Sequence, residues 1–344
     1  MEKNLIQTDR IKISYLSAGD PEKKLLILVH GNVSSNLFWK QTISDLAKDY
    51  RVIAPDLRGY GDTDAMPIDA TRGLRDWSDD LKSFVNALNI SQPFHLLGWS
   101  MGGGIVMQYA IDNPSELASM ILLSPVSPFG FGGTKDIQGS PCYDDFAGSG
   151  GGTANPSFTE LLKNKDRGEN DPNSPRNVMN QFYFKPPFRV TGEREEEFVD
   201  SMLSTKVSEG FYPGGFLTSN NWPGIAPGED GINNAMSPKY MDLSPIIDIN
   251  PKAPVLWIRG ASDIIVSDQS FFDFGFLGQQ GYVEGWPGED IYPPQPMVSQ
   301  MRYVLDQYQN NGGKYEELVV DDAGHSPHIE KPEIFFDKVR QFIR

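Results

Sequence analysis

Gly98-Trp99-Ser100-Met101-Gly102 sets one serine between two glycines, each two residues away. A largely apolar run of strand length, Phe94 to Leu97, precedes it, and Ile105 to Ala110 follows with the make-up of a buried helix. A serine on a tight strand-to-helix turn is held where its hydroxyl can act as a nucleophile. The glycines leave space where a Cβ would collide with neighbouring backbone. The helix start aims N–H groups at the point where negative charge would develop. A serine hydroxyl is a weak nucleophile at neutral pH, so it needs a base within hydrogen-bond reach and an acid to orient that base.

The chain has four histidines, His30, His95, His325 and His328. His95 lies inside the strand before the serine, and His30 is tied to a strand end beside Gly31. His325 follows Gly324 at a strand end, from which a loop can swing the imidazole over Ser100, and it is the expected base. His328, three residues on, is the alternative. Asp263, in a loop just past the strand Pro254–Gly260, is the expected acid, with Asp268 as fallback. Asp321 and Asp322 read as solvated loop residues. The strand after the serine's helix ends at Ser124, which cannot serve as an acid. A developing oxyanion needs backbone donors. Met101 N–H, next after the serine, supplies one, and Asn32 N–H in His30-Gly31-Asn32 a second.

The elements that must position these groups alternate. Strands are expected at Arg10–Leu16, Leu25–Val29, Arg51–Ala54, Phe94–Leu97 and Ser119–Leu123. Helical spacing is carried by Trp39, Ile43 and Leu46, and then by Trp77, Leu81, Phe84 and Leu88. Such alternation implies a mostly parallel sheet with helices on both faces, and function then collects beyond the carboxyl ends of the strands. Asn32, Asp56 and Ser100 fall at such ends. Asp56 and Arg58 sit among several glycines and read as scaffold. After Pro125 the pattern changes to a segment rich in glycine, proline and aromatics, with short helices expected at 157–164, 176–182 and 194–206. We read 127–248 as an inserted, mainly helical cap, and 1–126 with 249–344 as the core domain. The sheet pattern resumes at Pro254–Gly260, continues through Tyr315–Val320 and closes with a helix from Pro332. Residues 270–296 form a second aromatic stretch, read as a further lid loop.

Composition bounds the partners. The chain has 344 residues, 39% hydrophobic and 22% charged, enough for a packed core. The formal net charge of −16 disfavours nucleic acid and anionic membrane surfaces. Cys142 is the sole cysteine, so no intrachain disulfide forms. No signal-like or membrane-length apolar run is seen, and the expectation is a cytoplasmic protein acting on a small molecule, with a homodimer as one compatible assembly. No phosphate loop, dinucleotide fingerprint or metal-spaced Cys/His cluster is present, so neither cofactor nor metal is expected.

Taken together, His30-Gly31-Asn32, Asp56-Leu57-Arg58-Gly59-Tyr60-Gly61, Gly98-Trp99-Ser100-Met101-Gly102-Gly103, Gly260 with Asp263, and Gly324-His325 resemble the α/β-hydrolase fold in its capped, epoxide-hydrolase-like or proline-iminopeptidase-like branch. The order Ser100, Asp263, His325 is the order of that family's triad. The resemblance implies Ser100 as nucleophile, His325 as general base, Asp263 as orienting acid, and Asn32 with Met101 as the oxyanion pair. His30-Gly31-Asn32 and Trp99 also resemble haloalkane dehalogenases, but those enzymes and epoxide hydrolases use an aspartate where this chain has Ser100.

The function expected is hydrolysis of a carboxylic ester or lactone through an acyl-enzyme. The cap is expected to line an apolar pocket, with Trp99, Phe129, Phe131, Phe182 and Trp222 as candidates. A perhydrolase, with peroxide-dependent activity, would keep the triad, and so would two further alternatives. One is a C–C bond hydrolase. The other is an aminopeptidase, for which Glu195, Glu196 and Glu197 are the obvious acidic cluster, although they read as a solvated helix face. A non-catalytic ligand-binding protein of the same fold is the alternative from another class.

Overall fold

The computed structural model describes residues 1–344. In chain order the elements are β1 (Glu2–Gln7), β2 (Lys12–Ala18), β3 (Leu25–Val29), α1 (Lys40–Leu46), β4 (Arg51–Pro55), α2 (Arg75–Ala87), β5 (Phe94–Trp99), α3 (Met101–Asp112) and β6 (Leu117–Leu123). There follow α4 (Pro156–Lys163), α5 (Pro175–Val178), α6 (Glu193–Leu203), β7 (Phe216–Thr218), β8 (Ile225–Pro227) and α7 (Ile232–Ala235). The chain ends with β9 (Val255–Gly260), α8 (Phe274–Gln279), α9 (Met297–Asn310), β10 (Tyr315–Val320), α10 (Pro327–Glu330) and α11 (Pro332–Phe342).

Eight strands form one sheet in the order β1-β2-β4-β3-β5-β6-β9-β10. β1 pairs antiparallel with β2, and β2 antiparallel with β4; every pairing from β4 across to β10 is parallel. β5 lies between β3 and β6 and is buried at all six positions, which is why it reads as apolar rather than alternating. α2 packs on α3, and α1 packs on α11. The expected sheet with helices on both faces is therefore present. β1 was not expected: its polar sequence EKNLIQ lies along an exposed sheet edge. Nor was α9, whose buried stripe Met297, Met301, Val304, Leu305 and Tyr308 makes it the crossover helix between β9 and β10.

Between β6 and β9 no residue joins the main sheet. The three expected helices form there as α4, α5 and α6, and α5 runs on through a wide turn over Met179–Tyr183. A short β7–β8 hairpin and α7 add to them, and long stretches carry neither helix nor strand. The segment is anchored by aromatic stacking. Phe198 of α6 lies 4.2 Å from Phe38, and Phe38 lies 5.2 Å from Trp99 at the end of β5. No helix is long and apolar enough to cross a membrane.

Candidate active site

Three strand ends converge at one edge of the sheet, and each hands its loop a different chemical group. Ser100 follows β5 directly, with φ 58° and ψ −122°. That is a costly conformation for a residue with a side chain, so it persists only where the surroundings impose it. Ser100 N–H donates to Leu123 O at 2.9 Å, while Ser100 O accepts from Gly103 N–H at 2.9 Å and from Val126 N–H at 3.1 Å. The flanking glycines supply space. A Cβ on Gly98 would sit 2.1 Å from Gly102 O, and one on Gly102 would sit 2.3 Å from Val29 O. A Cβ on Gly31, in the facing loop, would sit 2.9 Å from Ser100 Cβ.

His325 and Asp263 arrive from the loops after β10 and β9. His325 Nδ1 lies 2.8 Å from Asp263 Oδ2, with both side chains buried. Asp263 Oδ1 accepts from Ile265 N–H at 2.8 Å and Val266 N–H at 3.0 Å, so the carboxylate cannot rotate freely. With an anionic acceptor beside it, Nδ1 carries the proton, leaving Nε2 as the basic nitrogen. The His325 carbonyl also accepts from Trp99 Nε1 at 2.9 Å, which ties the loop to the residue beside the serine. Ser100 and His325 line the same cavity. No hydrogen bond joins them, a spacing that commonly closes only once substrate is bound.

The competing candidates take other roles. Asp268 accepts from Val298 N–H, Ser299 N–H and Ser299 Oγ, and so caps α9. His328 is fully buried among Trp39, Trp99 and Phe335, and burial lowers its pKa well below 6.5. His30 is pushed down to about 4 by burial, and its Nε2 accepts from Leu57 N–H at 3.0 Å. His95, also pushed down to about 4 by burial, pairs with Ser119 Oγ. Asp56 accepts from Asn36 and Asp62 N–H, and burial raises it to about 6. Arg58 is held by both carboxylate oxygens of Asp80. Asp322 is exposed and pairs with Lys185 and Lys331.

Asn32 and Met101, expected to supply the oxyanion donors, line the cavity together with Ser100. Met101 N–H is the first of α3 and so has no carbonyl one helical turn behind it. Asn32 N–H donates to no group of the protein. The loop that carries it is strained: Val33 has φ 46°, a left-handed conformation that a β-branched residue rarely adopts.

The cavity measures about 470 Å³, and 18 of its 28 lining residues are hydrophobic. Trp99, Phe131 and Phe182 line it as expected. Phe129 and Trp222 do not. Phe129 packs under the turn at Gly139, where a Cβ would touch its ring. Trp222 donates to Glu284 O and packs on Tyr292, away from the cavity. Residues that sequence reasoning missed complete the wall: Phe158, Tyr183, Tyr212 and Met236 from the inserted segment, and Phe271, Phe272 and Leu277 from the 270–296 stretch. No periodicity marks them, because they sit on short helices and loops. No aspartate, glutamate, lysine or arginine lines the cavity. Glu195, which the sequence places on a solvated helix face, is buried and bound to Arg176, Arg189 and Asn180. Among the histidines, cysteines and carboxylates, no cluster could hold a metal ion.

Residues 24–149 match a family model described as alpha/beta hydrolase fold. Human epoxide hydrolase 4 is 31% identical over 119 residues, covering 35% of this chain and 33% of that protein. The 2-hydroxymuconate semialdehyde hydrolase of Pseudomonas sp. (strain CF600) is 36% identical over 101 residues, covering 28% of this chain and 35% of that protein. These matches thus span about a third of the relatives' own length. Among solved structures, an esterase from Rhodococcus sp. ECU1013 is similar with a TM-score of 0.61 at 19% identity, covering 100% of this chain and 98% of that one. A thermophilic esterase from Thermogutta terrifontis is similar with a TM-score of 0.58 at 20% identity, with the same coverage. At such identities the likeness speaks for the fold alone.

Proposed function

We propose that this chain, a member of the α/β-hydrolase superfamily, cleaves a carboxylic ester or lactone of a small, largely apolar substrate through an acyl-enzyme on Ser100. The observation that carries the reading is the 2.8 Å His325–Asp263 pair opening onto the same cavity as a serine held at φ 58°. His325 Nε2 takes the proton as Ser100 Oγ bonds to the carbonyl carbon. The Asn32 and Met101 N–H groups hold the resulting oxyanion. When the C–O bond to the leaving group breaks, His325 gives that proton to the departing oxygen. A water then attacks the acyl-enzyme, its proton passing to His325 and on to Ser100 Oγ, which frees the acid.

The substrate class follows from the wall. A cavity of this size with an apolar, uncharged lining suits a neutral small molecule. The same lining argues against an aminopeptidase, since nothing acidic faces the cavity to hold a substrate amine. Epoxide opening is disfavoured by chemistry: attack by Ser100 would leave an ether, which water and a histidine base cannot release. Cleavage of a C–C bond on the same triad is the second reading, favoured by the likeness to the Pseudomonas hydrolase. In both readings residues 127–248 act as a cap over a core of 1–126 and 249–344.

The test is labelling with a fluorophosphonate and peptide mapping, alongside turnover of p-nitrophenyl esters of graded acyl length. Label on Ser100, with turnover lost in Ser100→Ala and His325→Ala, is the expected result. A folded protein that neither labels nor turns over any ester, lactone or vinylogous diketone refutes the acyl-enzyme and leaves ligand binding as the function.

A further inference from the structure

The strained loop 31–33 is not held by the sheet alone. Asn32 Oδ1 accepts from Val33 N–H at 2.9 Å and from Tyr60 OH at 2.7 Å. The Val33 amide can only donate, so the Asn32 side chain has one orientation, with its Nδ2 turned away from Val33. That Nδ2 donates to Asn233 Oδ1 at 3.0 Å. Asn233 sits 201 positions further along, on α7, and its own backbone is secured by Asn233 N–H donating to Pro213 O at 2.9 Å. A second tie comes from Tyr183, whose OH lies 3.3 Å from Asn32 O and 3.2 Å from Val33 O. Both Asn233 and Tyr183 belong to the inserted segment, and both line the cavity beside Ser100.

A loop with a β-branched residue at positive φ relaxes unless something opposes it. Relaxation here would move the Asn32 N–H, which has no protein acceptor to keep it in place. We propose that Asn233 is a positioning residue: through the Asn32 side chain it holds the Asn32 N–H where the oxyanion forms. The inserted segment thereby completes the reacting centre as well as walling the cavity. This inference rests on the acyl-enzyme reading above.

The hydrogen bond can be cut from either end without touching the backbone donor. Asn233→Ala and Asn32→Ala both keep the Asn32 N–H; the first removes only the bond between the two side chains, and the second also removes the Val33 and Tyr60 bonds to Asn32 Oδ1. The expected result is a kcat lower by about 10- to 100-fold in each, with KM changed by less than about threefold, as for a donor displaced rather than deleted. Affinity for an alkyl boronic acid, which forms a tetrahedral adduct on serine, falls in parallel with kcat. The double variant is no slower than Asn32→Ala alone, because Asn32→Ala already removes the link that Asn233 makes. A residue that only stabilises the fold would lower the melting temperature and leave kcat and boronate affinity unchanged, and that outcome overturns the proposal. So does full additivity of the two substitutions. Wild-type protein that fails to label at Ser100 overturns the acyl-enzyme reading itself, whereas normal wild-type labelling with unchanged variants overturns only the role of Asn233.

Discussion

Replacing Asp263 by asparagine changes one atom of the His325–Asp263 pair and tests what that pair does. Asp263 Oδ1 receives two backbone N–H groups, at 2.8 and 3.0 Å. An asparagine must keep its carbonyl oxygen there, which puts its NH2 group at the former Oδ2, 2.8 Å from His325 Nδ1. Two donors cannot face each other at that distance, so His325 shifts its proton to Nε2. It then presents an N–H to Ser100 and cannot accept the hydroxyl proton. The same substitution in a Ser–His–Asp protease costs about 10⁴ in kcat, or about 5.5 kcal/mol of barrier. We expect a loss of that order here, with KM little changed. The asparagine NH2 then donates to the bare Nδ1, so a charge-assisted hydrogen bond is exchanged for a neutral one at a cost of about 1 kcal/mol, and the fold should survive with a slightly lower melting temperature. The assay is steady-state hydrolysis of a p-nitrophenyl ester together with a thermal melt of the same sample. A folded Asp263→Asn protein within tenfold of the wild-type kcat would refute the tautomer argument and remove Asp263 from the mechanism.

Three further outcomes follow from the packing. Gly102→Ala drives a Cβ to 2.3 Å from Val29 O and 2.5 Å from His30 O, both backbone atoms, so it should cost about 3 kcal/mol, which lowers the melting temperature of a chain of 344 residues by about 4 °C; an unchanged melting temperature contradicts this. His328→Leu removes two buried ring nitrogens that have no partner and should be neutral or stabilising at pH 7.5. Because burial holds His328 neutral in the fold, its stability contribution is full above pH 6.5 and is lost as pH falls below that value, where the unfolded chain takes up the proton. The leucine variant should therefore gain on wild type between pH 7.5 and pH 5, and parallel melting curves across that range would contradict the assignment. Met236→Trp fills part of the cavity and should lower kcat/KM for long acyl esters at least tenfold more than for acetate; an equal effect on both would show that the acyl chain lies elsewhere.

The candidate site residues were legible in the sequence wherever local backbone geometry leaves a mark. Gly98 and Gly102 are glycines because a Cβ there meets backbone, and that constraint is written into a five-residue pattern. Asp263 and His325 stand just past strand ends, and a parallel sheet brings all such ends to one edge, so their places in the sequence already point to the 2.8 Å contact. The crossover helix α9 left a mark as well, in the spacing of its buried stripe, although it was not read.

The walls of the cavity could not be read in the same way. Phe129 and Trp222 looked no different in sequence from Phe131 and Phe182, yet two of the four face the cavity and two do not. Short helices and loops have no repeat that tells one face from the other, so each side chain's direction depends on what packs against it. Asn233 shows the limit most clearly. Nothing local distinguishes it from Asn234 beside it, whose amide binds backbone groups at Gly151 and Gly215. What sets Asn233 apart is a partner 201 residues earlier in the chain, in the loop after β3. Hydrogen bonds made by local backbone leave local patterns, whereas a bond between distant segments exists only once the chain has folded and brought the two together.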